Sequence, residues 1–204
     1  MSTFVLVHSP LIGPLVWQGV AAALRKRQHR VVVPDLRDAT AAGPPYWQGH
    51  VAATLAALGD VPEHSPLILV GHSGAGVLLP AIAAACARPL AAFHFVDADL
   101  PEDGQSRLDR FASAGEATQF RAAAQQGMLP PWTDEDLRAA IPDAALRARF
   151  VSELRPVPLA VYEEPIPAPE GWDEAPCGYL RFSDSYLAAA EEARQADWAY
   201  AELP

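Results

Sequence analysis

The sequence predicts an α/β fold: a mostly parallel sheet of about six strands, helices on both faces, and a helical lid inserted between the fourth and fifth strands. Three observations predict it. Short β-branched or apolar runs alternate with longer Ala- and Leu-rich stretches of helical periodicity. The short runs are continuously apolar, as in strands buried on both faces. At 204 residues, 50% of them hydrophobic and 20% charged, the chain supports one well-buried core and a single domain over residues 1–204.

Taken in order, Thr3 to Val7 ("TFVLV") reads as a buried strand, and Leu15 to Lys26 as a helix with Val16, Val20, Ala23 and Leu24 on one face. Arg30 to Asp35 is the next strand, ended by Pro34. A helix from Tyr46 to Leu58 precedes the strand Pro66 to Val70, and a helix from Ser73 to Cys86 precedes the strand Leu90 to Ala98. No clear strand is expected between Leu100 and Pro176. That span holds two amphipathic stretches, Ser113 to Gln126 and Asp134 to Leu154, separated by "GMLPPW" and followed by the proline-rich "RPVPLAVYEEPIPAPEGW". It is too long for an ordinary connection and is read as a lid over a site, at residues 100–176. The sheet pattern resumes with a strand from Cys177 to Phe182, a helix from Ser185 to Gln195, and a last strand from Trp198 to Leu203, cut off at Pro204.

Composition removes several function classes. With 15 basic against 25 acidic residues, a formal charge of −10 repels phosphate backbones and anionic membrane surfaces, so neither nucleic acid nor a membrane is expected as a partner. Lys26 is the single lysine, in the polar run "RKRQHR", which leaves no lysine for a Schiff base, a Walker motif or a Tyr-x-x-x-Lys pair. Cys86 and Cys177 lie far apart without metal-ligand spacing and are expected as buried thiols in a reducing compartment. The amino terminus has no basic region before its short apolar run, and no window approaches the ~20 apolar residues of a membrane span. The expected location is therefore cytoplasmic, with no metal and no cofactor.

The stretch that carries chemistry is "LILVGHSGAGVLLP", Leu67 to Pro80. Ser73 lies between an apolar strand and a helical run, with Gly71 and Ala75 two positions to either side. A strand that turns directly into a helix strains its corner residue, and only tiny neighbours tolerate the turn. Such a corner lifts the Ser73 hydroxyl above the carboxyl end of the sheet and leaves the Gly74 N–H to face an oxyanion. The alternative is a simple helix cap. Gly71, Gly74 and Gly76 also suggest a dinucleotide turn with Asp97 on the next strand, but their spacing is not G-x-G-x-x-G.

With "FVLVHSPLIGPLVW", "RVVVPDLR" and "LILVGHSGAG" the chain resembles the α/β-hydrolase superfamily over nearly its whole length, lacking that fold's first hairpin. It is most similar to the small branch that includes plant hydroxynitrile lyases and methylesterases, which carry a helical lid. The resemblance implies Ser73 as nucleophile and Asp184, in "YLRFSDSY", as the acid that orients an imidazole, with Asp97 and Asp99 as rivals for that role. It implies Gly74 and the loop residue Ser9 at the oxyanion, and His8, His72, Leu11 and Trp132 at the substrate pocket, with specificity in Met128, Leu129, Trp132 and Tyr162.

Two positions depart from the family pattern. Where the family's second oxyanion donor usually stands, this chain has Pro10, which has no N–H. The family's histidine follows the eighth strand, and here the expected base is assigned to a carboxyl-terminal tail beyond Pro204. Of the histidines present, His8 is the first candidate substitute; His72 should point away from Ser73, His94 lies in a buried strand, and His29, His50 and His64 occupy helix ends or loops. The expected function is a serine-dependent hydrolase of small esters or thioesters acting on a small-molecule substrate. The alternatives are a hydrolase-fold binding protein that has lost the triad, and lyase or cyclase chemistry on the same scaffold. A homodimer is left open.

Overall fold

The computed structural model describes residues 2–111 and 113–203; Pro204, at which the last expected strand is cut off, lies outside them. The strands are β1 (Thr3–Val7), β2 (Arg30–Val32), β3 (Leu67–Ser73), β4 (Leu90–Ala98), β5 (Met128–Leu129), β6 (Val157–Pro158), β7 (Cys177–Arg181) and β8 (Ala199–Glu202). The helices are α1 (Gln18–Lys26), α2 (Tyr46–Ala56), α3 (Leu79–Ala85), α4 (Ala114–Ala123), α5 (Ala144–Glu153), α6 (Ala160–Glu163) and α7 (Leu187–Gln195). Six strands form one sheet in the order β2-β1-β3-β4-β7-β8, every neighbouring pair parallel.

Strand alternation sorts the apolar residues onto the two faces. Val5 and Val7 of β1, Leu67 and Leu69 of β3, and Phe93 and Phe95 of β4 pack with Val51 of α2, Ile82 of α3 and Ala190 of α7. Leu6 and Val70 point the other way, onto Trp17 and Ala21 at the start of α1. Each fully buried side chain of this size contributes about 1.5–3 kcal/mol, so this two-sided burial is what holds a sheet that makes no hairpin of its own. On the α1 face an apolar trough of about 440 Å3 remains, bordered by Val20 and Leu24 of α1 and by Val96, Leu180 and Tyr200 of the sheet.

Three sequence expectations are corrected. β3 runs on to Ser73, and the helix expected from that residue begins as a 3-10 turn at Gly76 before α3 starts at Leu79. Ser73 has a left-handed backbone (φ 56°) and cannot continue into a helix, while Pro80 sits in the first turn of α3, where its missing N–H costs nothing. The stretch Asp134 to Leu154 is helical only over α5, capped by the Asp143 side chain on the Leu146 N–H at 2.7 Å. Pro142 keeps the preceding residue out of the helical region. The segment between β4 and β7, expected to lack strands, carries the short antiparallel pair β5–β6 (Met128 with Pro158, Leu129 with Val157).

Cys86 and Cys177 are free thiols, half-buried rather than fully buried. Among the described residues no helix is long and apolar enough to cross a membrane. Nor do any three His, Cys, Asp or Glu side chains of those residues gather to hold a metal ion.

Candidate active site

Ser73 is the last residue of the central strand β3 and has a φ of 56°. A non-glycine residue held there costs of order 1–3 kcal/mol, which the surrounding packing must offset. The packing is tight for the reason the sequence suggests. A Cβ on Gly71 would come within 3.1 Å of Gly76 Cα and 3.2 Å of the Ala75 carbonyl oxygen. Ala75 itself is fully buried, and a Cβ on Gly76 would collide with the carbonyl of Asp99. The corner can form only with small residues at these positions.

The Ser73 hydroxyl shares a 2.7 Å hydrogen bond with the hydroxyl of Tyr186. Tyr186 ends the 3-10 turn Asp184–Tyr186 that follows β7. Burial, reinforced by the nearby Asp99 carboxyl, pushes its phenol well above the ordinary tyrosine range, so it stays protonated and is a hydrogen-bonding group rather than a base.

The same turn sends Asp184 outward. Its side chain is 98% exposed and pairs with Arg181 at 2.9 Å, so Asp184 is not brought to Ser73. The cause lies at the end of β4, where Asp97, buried and itself left-handed (φ 44°), accepts hydrogen bonds from the N–H groups of Phe182 and Ser183 at 3.0 Å each and from the Ser183 hydroxyl at 2.5 Å. With 182 and 183 pinned, the following turn points residue 184 to solvent and residue 186 to the serine. Asp97 is thus a brace between β4 and the loop after β7. Asp99, two residues on, makes no hydrogen bond or ion pair among the described residues, and burial pushes its carboxyl up to about 7, against the opposing pull of Arg110 and Arg107.

The loop after β1 is occupied differently. His8 is fully buried, its Nδ1–H donating to the Ser9 carbonyl at 2.9 Å and its Nε2 accepting from the Leu36 N–H at 3.0 Å. Both nitrogens are committed, and burial lowers the pKa, so His8 is a neutral structural histidine and neither a pocket residue nor a substitute base. The Ser9 hydroxyl lies 3.5 Å from the Tyr162 hydroxyl and accepts a long 3.4 Å bond from the Leu11 N–H. Pro10 contributes no donor, and the next N–H is already turned onto Ser9.

Ser9 and Gly74 do converge, through Tyr162 of α6. The Tyr162 hydroxyl would sit 3.2 Å from a Cβ on Gly74, so a larger residue after the serine would have to push the phenol aside by a few tenths of an ångström. Beneath lies Arg107, fully buried, with Nε donating to the Gly74 carbonyl at 2.8 Å and Nη1 to the Val161 carbonyl at 2.6 Å. Its guanidinium also stands 5.6 Å from the centre of the Tyr162 ring.

The remaining expected residues separate. His72 turns to the α1 face, stacked on Phe182 and edge-on to Trp17, and is not brought to the pocket. Leu11 and Trp132, the latter 43% exposed, line a cavity of about 370 Å3 with Phe120 and Leu129. Phe120 also borders a second cavity of about 340 Å3, lined by Asp99, Phe111 and Tyr186. Tyr186 and Arg107 were not anticipated. "SDSY" held a signal for the first, an aromatic two residues past the expected acid; nothing local distinguishes Arg107 from the other arginines of its segment.

This strand-to-turn corner on a parallel sheet agrees with the comparisons to known proteins. A model of the alpha/beta hydrolase family matches residues 4–204, and the chain belongs to that family. A carbendazim hydrolyzing esterase of Nocardioides sp. (strain SG-4G) is 32% identical over 113 residues, 53% of this chain and 46% of that protein. The chain thus spans about half the length of the curated relative it matches. An extracellular alpha/beta-hydrolase from a Paenibacillus species, described as sharing structural and functional homology with tobacco salicylic acid binding protein 2, is similar with a TM-score of 0.76 at 20% identity, over 100% of this chain and 90% of that one. A methylesterase from Arabidopsis gives a TM-score of 0.70 at 17% identity, over 100% and 89%. At these identities the likeness is one of fold.

Proposed function

We propose that the protein is a serine-dependent hydrolase of small esters or thioesters, acting by acyl transfer through Ser73. The observation that carries the reading is the left-handed Ser73 at the carboxyl end of the central strand, held by Gly71, Ala75 and Gly76 with its hydroxyl at the edge of a cavity-lining tyrosine. Strain of this kind is retained where a nucleophile must project. In the reaction the Ser73 oxygen attacks the acyl carbon, the carbonyl oxygen becomes an oxyanion near the Gly74 N–H, and the alcohol or thiol leaves with a proton. Water then takes the acyl group from the serine. The esterase relatives support this class, and the segment carrying α4, α5 and α6 is read as the lid that shapes the pocket. A cytoplasmic location is the companion reading, supported by the two free thiols.

A second reading, a hydrolase-fold binding protein, is favoured by one specific observation. None of the histidine rings is hydrogen-bonded to Ser73 among the described residues; its hydroxyl is engaged by Tyr186. A fluorophosphonate probe separates the two. The hydrolase reading expects stoichiometric labelling that Ser73→Ala abolishes, with p-nitrophenyl acetate turnover falling at least ~1,000-fold in the same variant. Absence of labelling in the wild-type protein, with short esters still bound, would establish the binding protein instead.

A further inference from the structure

Asp99 follows the last residue of β4, is only 8% exposed, and has neither a hydrogen bond nor an ion pair among the described residues. Asp97, two residues earlier, has its carboxylate filled by two N–H groups and a hydroxyl. A carboxylate this far buried without a protein partner is costly, and its oxygens are not sealed in: they keep access to open space. What Asp99 meets is the cavity of about 340 Å3 that Phe111, Phe120 and Tyr186 also line, with the exposed Glu116 and Gln119 at its edge. The Tyr186 hydroxyl is 2.7 Å from Ser73 Oγ, so this cavity adjoins the nucleophile.

Among the described residues, none that lines the cavity is basic. The nearby cations do not pair with Asp99: Arg110 pairs with Glu102 at 2.8 Å and Glu192 at 2.6 Å, and Arg107 donates to the carbonyls of Gly74 and Val161, while Arg110 Nε and Arg107 Nη2 are buried without a partner among the described residues. The cavity therefore presents acceptors beside two aromatic rings, a combination that suits a protonated amine and repels an anion.

We infer that Asp99 anchors a protonated amine on the substrate, bound beside Phe111 and Phe120 with the bond to be cleaved toward Ser73. The inference rests on the hydrolase reading for what happens at Ser73, but the binding does not. The charged and titratable groups around Asp99 are Arg107 and Arg110 on the segment after β4, Glu116 on α4, Tyr162 on α6, Tyr179 on β7, Tyr186 after β7 and Glu192 on α7. Burial outweighs the two arginines and pushes the Asp99 carboxyl up to about 7, so an arriving ammonium group displaces a proton from it at neutral pH.

The test is calorimetric titration of benzylammonium, benzyl alcohol and benzoate into the wild-type protein, Ser73→Ala and Asp99→Asn. The amine is expected to bind about tenfold tighter than the alcohol, with benzoate weakest, in both wild type and Ser73→Ala. In Asp99→Asn the preference should shrink to about threefold or less. Should Asp99→Asn fail to fold, the wild-type titration reads the same group. Benzylammonium affinity should rise about tenfold from pH 5.5 to pH 8 while that of benzyl alcohol stays level. Equal binding of amine and alcohol, a preference that survives Asp99→Asn, or tighter binding of benzoate overturns the inference. An intact amine preference without Ser73 labelling defeats the hydrolase reading alone, and labelling without the preference defeats the anchor alone.

Discussion

The two flanks of Ser73 are built on opposite principles. On the β1 side most polar groups are engaged with one another: both nitrogens of His8 are bonded, the Ser9 hydroxyl meets Tyr162 and Leu11, and Arg107 ties the Gly74 carbonyl to α6 through two of its three nitrogens, Nη2 being without a partner among the described residues. On the β7 side a phenol rests on the Ser73 hydroxyl and the Asp99 carboxylate stands open to a cavity. A satisfied polar network rigidifies, whereas an unsatisfied group is a cost that the fold carries for a reason. The first flank holds the corner at Ser73, and the second carries the proposed amine site.

Substitutions can break or sharpen that contrast. The largest effect is expected from Arg107→Ala, which leaves two buried carbonyls unpaired and opens a void beneath Gly74. A loss of about 3 kcal/mol, or a fall in Tm of roughly 10 °C, should appear in a thermal melt. A melt unchanged within a degree would show that the β1 flank is not the frame it is taken to be.

Asp99→Asn should act in the opposite direction, and only above acid pH. The folded-state pKa of about 7 lies above the unfolded value of 3.8. The native state therefore holds this proton more tightly than the unfolded chain does. Below the unfolded pKa both states are protonated and nothing is lost; stability falls as pH rises from there through 7, and the full cost is present beyond it. Removing the charge should stabilise the protein on the order of 2 kcal/mol at pH 8 and leave Tm near pH 3 unchanged. Equal effects at the two pH values would remove ionisation as the cause.

Tyr186→Phe comes next. It removes one hydrogen bond from the Ser73 hydroxyl, and fluorophosphonate labelling should change by about tenfold or less. A complete loss of labelling would make the phenol indispensable. The smallest effect belongs to Asp184→Asn, since an exposed ion pair of this kind contributes about 0–1 kcal/mol. Ester turnover within twofold of wild type is the expected result, and a hundredfold loss would return Asp184 to the chemistry.

The legibility of these features in the sequence follows their range. The parallel strands, the elbow and the smallness of Gly71, Ala75 and Gly76 were legible because they depend on residues within a few positions of one another and on continuous apolar runs. The exact turn of the chain after β7 was not. Asp184 has the family spacing, yet its direction is set by Asp97, some 87 positions earlier in the chain, which bonds the backbone at 182 and 183. His8 likewise looked available beside the site until Leu36, from another loop, was found to occupy its second nitrogen. The missing donor at Pro10 needed no structure at all, because proline lacks the N–H in any fold.

Backbone geometry forced by neighbouring residues, and the class of fold that burial on both faces of a sheet demands, were written into the chain locally. Which of "LILVGHSGAGVLLP" and its distant companions would meet was decided only in three dimensions. Tyr186 reaches Ser73 from the turn after β7, across the end of β4, which lies between β3 and β7 in the sheet; Arg107 reaches Gly74 from the segment after β4, and Asp99 is left beside an open cavity. A side chain's availability for chemistry depends on which of its hydrogen-bonding atoms those long-range neighbours leave free.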